Sequence, residues 1–123
     1  MRIDKLDELA TSSNQLLGLG AQVVVRLASE QGFDDLKGRI NEASANQSAY
    51  VAELPTIFGR SVGEDVESYQ MALGDFIKST NAMKGPQDFK RWSVSFDGVV
   101  NATDRLKREI RSTIGVAAPI DSN

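Results

Sequence analysis

The side chains with the most chemical potential in this chain are carboxylates and phenols. Acids cluster in "DKLDE" at 4–8 and "EDVE" at 64–67, and the two tyrosines are Tyr50 and Tyr69. Paired carboxylates can hold a metal ion or divide acid and base roles between them. Here they lack the usual helpers, because the chain contains no histidine and no cysteine. Histidine is the commonest metal ligand and the usual proton carrier near neutral pH. The lack of cysteine removes disulfides, thiol nucleophiles, zinc–thiolate sites and iron–sulfur clusters together. No Glu-x-x-His pair is available for a di-iron bundle site. Both acidic clusters open helical segments, where acids offset the positive end of the helix dipole. They read as solvated helix starts. No metal and no cofactor is expected, and the chain is not expected to be an enzyme.

Three further stretches invite a functional reading. "GLG" at 18–20 suggests a nucleotide loop, but no strand precedes it and the third glycine position holds Val23. Close helix packing is the plainer explanation. "RLKREIRS" at 105–112 is the densest basic run, with Arg105 and Arg108 as candidate contacts to an acidic partner or a phosphate. Bases also suit the C-terminal end of a helix, and in a bundle this end lies beside Asp4, Asp7 and Glu8. Ile57 and Phe58, between Pro55 and Gly59, either cap the end of the core or offer an apolar anchor to a partner.

These residues need elements to position them. Apolar residues recur at steps of three and four in four segments, the signature of helix faces. The first reads Ile3, Leu6, Leu9, Leu16, Val23, Leu27 and stops near Gly32. Its "QVVVRL" is β-branched enough for a strand, but the helical spacing runs on past it. The second spans 34–54, with Asp34 or Asp35 as its cap and Pro55 as its end. The third begins with a Ser61–Glu64 capping box and follows Val62, Val66, Tyr69, Leu73, Phe76, Thr80, Met83 up to Gly85-Pro86. The fourth follows Phe89, Trp92, Phe96, Val99, Thr103, Leu106, Ile110, Ile114. Short connections near Gly32 and Gly85-Pro86 make antiparallel neighbours. The fold class expected is all-α: an antiparallel up-down four-helix bundle over 1–115, with a flexible tail at 116–123. Its rival is a pair of helical hairpins completed by dimerisation.

This packing gives one layer a polar character. Folding the hairpins about their turns brings Ser13, Gln47, Tyr50, Tyr69 and Thr103 to about one level, within roughly one helical turn. The levels on either side are aliphatic and aromatic. A buried polar layer can enforce register among interchangeable apolar helices, because a misaligned polar group loses its partner. It can also form a small-molecule pocket in a bundle core.

Composition narrows the partners. With 123 residues, the chain is one domain by length, and 41% apolar with 25% charged residues is the balance of an ordinary globular protein. A net charge of −3 argues against general nucleic-acid binding. No run is long and apolar enough to span a membrane, and "MRIDKLDELATSS" has no apolar signal core, so a cytoplasmic location is expected. Trp92 is followed by Ser93 and Val94 within a helical run, so the Trp-x-Gly turn of helical hairpins exported by leaderless secretion is missing. The expected function is therefore that of a small helical interaction protein: an adaptor, a chaperone-like protein, an inhibitor or an accessory factor. Its partner would be another protein, a second copy of the chain included. The alternative is a small-molecule-binding or sensory bundle built on the polar layer.

Overall fold

The apolar steps of three and four become one shared core. Leu9, Leu16 and Val23 from the first segment meet Leu36, Ile40 and Val51 from the second. Leu73 and Phe76 from the third and Trp92, Val99, Leu106 and Ile110 from the fourth complete it, all fully or almost fully buried. In the computed structural model the elements run α1 (Arg2–Ala28), α2 (Asp34–Val51), a short α3 (Leu54–Phe58), α4 (Gly63–Ala82) and α5 (Phe89–Ile114). Single 3₁₀ turns, Arg60–Val62 and Pro86–Asp88, precede α4 and α5. The structure describes the backbone of residues 2–114 and the side chains of 7–113. The tail expected at 116–123, and the core positions expected for Ile3, Leu6 and Ile114, lie outside that range.

Each long helix packs on two neighbours: α1 on α2 and α5, and α4 on α2 and α5. This is the antiparallel four-helix bundle that the spacing predicts. The two hairpins close on one another within one chain, and their buried residues form one shared core. "QVVVRL" is helical throughout, with Val24 and Val25 outward. Burial on one face outweighs β propensity there.

The helix ends differ from their sequence signals. Neither Asp34 nor Asp35 caps α2: the N-cap position is Phe33, without a side-chain cap bond. Asp35 instead accepts from Arg26 at 2.9 Å, and that hydrogen bond holds its carboxyl below the usual range. Arg26 also donates to the carbonyl of Gly32 at 2.9 Å, tying the first turn together. The residue with positive φ in that turn is Glu30, at 56°, rather than Gly32. The Ser61–Glu64 capping box does not form; α4 starts at Gly63, and the Ser61 hydroxyl faces that of Thr113 at 3.5 Å. Pro55 does not terminate α2, which already ends at Val51. It sits in the first turn of α3, where a missing N–H costs nothing.

The α4–α5 hairpin carries the largest side chains. Trp92 stacks on Phe96 with ring centroids 5.1 Å apart, and Phe76 approaches both at 5.6 and 5.5 Å. The Trp92 indole donates to the Thr80 hydroxyl at 3.0 Å, so its polar edge is satisfied inside the core. Gly20 makes room for this cluster. A Cβ there would lie 2.3 Å from the Phe96 ring, whereas one on Gly18 would meet nothing within 4 Å. The glycines of "GLG" thus have separate roles, and only Gly20 is required by internal packing.

Candidate functional site

The polar layer resolves into separate arrangements. Gln47, 3% exposed, donates from Nε2 to the Ser13 hydroxyl at 3.2 Å, joining α2 to α1. Thr103 is buried but turns back on its own helix, donating to the Val99 carbonyl at 2.7 Å. Tyr50 lies at the edge of the bundle and hydrogen-bonds the Glu8 carboxylate. Partial burial, the charges of Glu8 and Glu53 and that hydrogen bond push its phenol up to about 12. Tyr69 is fully buried and its hydroxyl has no protein partner. Of the five residues expected at one level, only Gln47 and Ser13 are hydrogen-bonded to one another. The Ser13–Gln47 contact falls within the one-turn tolerance of the level expected for that pair.

Sequence periodicity missed Ser44. It is fully buried on α2, and its hydroxyl also lacks a partner. A serine on an apolar stripe was its only signal. Also missed was the polar thread through Ser79, Ser95 and the Trp92 carbonyl, which ties the top of α4 to α5.

The Ile57–Phe58 segment is helical. Phe58 is 3% exposed and closes the end of the core with Leu54 and Val62, while Ile57 is half-buried against it. Phe58 therefore caps the core and is not available as a surface anchor. Arg105 and Arg108 are exposed on α5. Glu8, expected beside them, turns toward Tyr50 instead, and the Asp4 side chain lies outside the described residues. The acids Glu64 and Asp65 do stand in the first turn of α4. Among the described residues no three acidic side chains converge to hold a metal ion, and no helix is long and apolar enough to cross a membrane.

The surface feature with most to offer is one that the sequence reading did not single out. A groove runs between α2 and α4, lined by Ala45, Ser48, Ala49 and Ala52 on one side and Gly74 and Ile77 on the other. Ser44 and Leu73 line it too, and Gln70 spans it, donating to the Ser48 carbonyl at 3.1 Å. None of these side chains is charged, in a chain that is 25% charged. Beyond the groove, Asn41 and Asn81 exchange hydrogen bonds of 2.9 and 3.3 Å, again without charge. On the outer crest of α4 stands Met71, 70% exposed. Gly74, next along that crest, meets nothing within 4 Å of an added Cβ. A glycine inside a helix costs up to about 1 kcal/mol relative to alanine, and among the described residues no close packing requires it here, as none does at Gly18, Gly38 or Gly98. Small side chains let a foreign helix approach closely, and interface centres are depleted of charge.

Comparison with protein-family models, curated proteins and solved structures finds no match for this chain.

Proposed function

We propose that the chain is a non-enzymatic interaction module, a small helical bundle that binds another protein through the α2/α4 face. The observation that carries this reading is the uncharged, small-residue groove, with the exposed Met71 next to its lining residue Gln70 on α4. A flexible, polarizable methionine beside small residues suits a surface that accepts a partner helix. The composition is in keeping, since a chain without histidine or cysteine has few routes to catalysis. With Phe58 inside the core, the helix face replaces the Ile57–Phe58 segment as the contact surface.

The test uses the tagged chain as bait. Ala49→Arg places a charge in the middle of the groove, and Ala21→Arg places the same charge on the exposed side of α1. A specific partner should be retained by Ala21→Arg and lost by Ala49→Arg. Equal capture by both variants would overturn the reading. The cytoplasmic location expected from the sequence is part of this proposal, and fractionation of cells carrying the tagged chain checks it.

A second reading rests on the buried, unpartnered hydroxyls of Ser44 and Tyr69. Such groups are costly unless something bonds them, and a small polar ligand in the bundle would do so. Native mass spectrometry of the purified chain, compared with its denatured mass, decides the matter. Extra mass lost on denaturation supports a bound molecule; a bare mass removes this alternative.

A further inference from the structure

We propose that the occupant of the α2/α4 face is a second copy of this chain, docked antiparallel, with Met71 of each copy seated over Gly74 of the other. This rests on the protein-binding reading and names its partner. The outermost strip of α4 reads Glu67, Met71, Gly74, Lys78, in steps of four, three and four, so all four side chains share one face. Met71 is the most exposed large apolar side chain described, at 70%. Gly74 is its complement, a stretch of helix without a side chain at the edge of the groove, where a Cβ would enter open space. The groove is uncharged, and Ser44 lines it with a fully buried hydroxyl that has no partner.

Charge fixes the register and the orientation. Glu67 lies four residues before Met71, and Lys78 lies four residues after Gly74. When two α4 helices run antiparallel, the alignment that sets Met71 level with Gly74 therefore also sets Glu67 level with Lys78. A two-fold axis passing between residues 72 and 73 makes each contact twice, as an isologous interface requires. The same alignment sets Asp75 level with Gln70 and Glu64 level with Asn81, so no like charges of the two α4 helices stand level with one another. A parallel pairing would oppose acid to acid and lysine to lysine. The α4/α5 groove on the other side of the crest suits a second copy less well, because Asp75 and Arg91 line it. The Ala45 and Ala49 side of α2 leaves room for the incoming helix to settle between α2 and α4.

Sedimentation velocity on the purified 123-residue chain, from low micromolar to several hundred micromolar, tests this. A concentration-dependent dimer is expected. Glu67→Lys and Lys78→Glu should each weaken it about tenfold or more, because each opposes like charges twice. Mixing the two variants should restore association as a heterodimer, since both contacts then pair opposite charges again. Gly74→Leu puts a large side chain under Met71 of the other copy and should weaken the dimer by a similar factor. All these positions lie on the outer face of α4, and circular dichroism melts verify that each variant is folded. A monomer throughout the range, or a dimer indifferent to charge exchange, overturns the proposal. A monomer whose Ala49→Arg variant still loses a captured partner overturns the second copy as occupant and leaves the protein-binding reading standing.

Discussion

The side-chain amide of Gln47 on α2 donates to the hydroxyl of Ser13 on α1 across 3.2 Å, with both residues buried. This pair ties α1 to α2, and its expected role is to hold the relative register of the first hairpin. Slipping α1 by one turn would leave both groups buried without a partner, at about 1–3 kcal/mol for each. Gln47→Ala and Ser13→Ala are each expected to destabilise the chain, with a coupling of about 0.5–1.5 kcal/mol in a double-mutant cycle. Gln47→Leu combined with Ser13→Ala removes both polar groups and should be near neutral or stabilising, with looser helix alignment seen as broadened amide resonances. A double variant that stays as sharply folded as the parent would show that register is set elsewhere.

The two glycines of "GLG" should respond in opposite directions. Gly20→Ala drives a methyl into the Phe96 ring, within a cluster that also holds Trp92 and Phe76. A loss of about 1–3 kcal/mol is expected from such overpacking. Gly18→Ala enters open space and should stabilise α1 by up to about 1 kcal/mol through helix propensity. Thermal melts of the two variants against the parent check both signs.

Tyr50 predicts a specific alkaline weakness. Its phenol is pushed up to about 12, while in the unfolded chain it titrates near its ordinary value of about 10. The folded state therefore holds the proton more tightly. That contribution is fully present below pH about 10 and is lost as pH rises from about 10 toward about 12. The stability gap between the parent and Tyr50→Phe, measured by chemical denaturation, should be steady at neutral pH and shift against the parent across that window. A gap that does not change with pH would mean that Glu8 and burial do not hold the phenol as described.

The orphaned hydroxyls of Tyr69 and Ser44 make their own forecast. Each is buried without a protein partner, so its removal discards a desolvation cost. Tyr69→Phe and Ser44→Ala should be neutral, or stabilising by up to about 1–2 kcal/mol. A loss of more than about 1 kcal/mol in either variant would show that the hydroxyl is bonded in solution, by water or by a ligand.

Much of this architecture can be read from spacing alone. Apolar steps of three and four are forced by 3.6 residues per turn, so Leu9, Leu16 and Val23, or Trp92, Val99 and Leu106, announce their helices and their buried faces without any knowledge of neighbours. Short turns then make those helices antiparallel. The level of Gln47 came within one turn of its observed partner, because register follows from loop length. What spacing could not supply was the fate of groups whose choices depend on three-dimensional neighbours. Asp35 bonds first to Arg26 across the turn, Thr103 bonds its own backbone, and Phe58 turns inward at the end of the core. The uncharged groove is the clearest case. Ala45 and Ala49 are unremarkable on α2, and Gly74 is merely a poor helix former on α4. Only the packing of α2 against α4 sets them side by side, because these helices join residues far apart in the chain, such as Ser48 and Gln70, where no periodic pattern reaches.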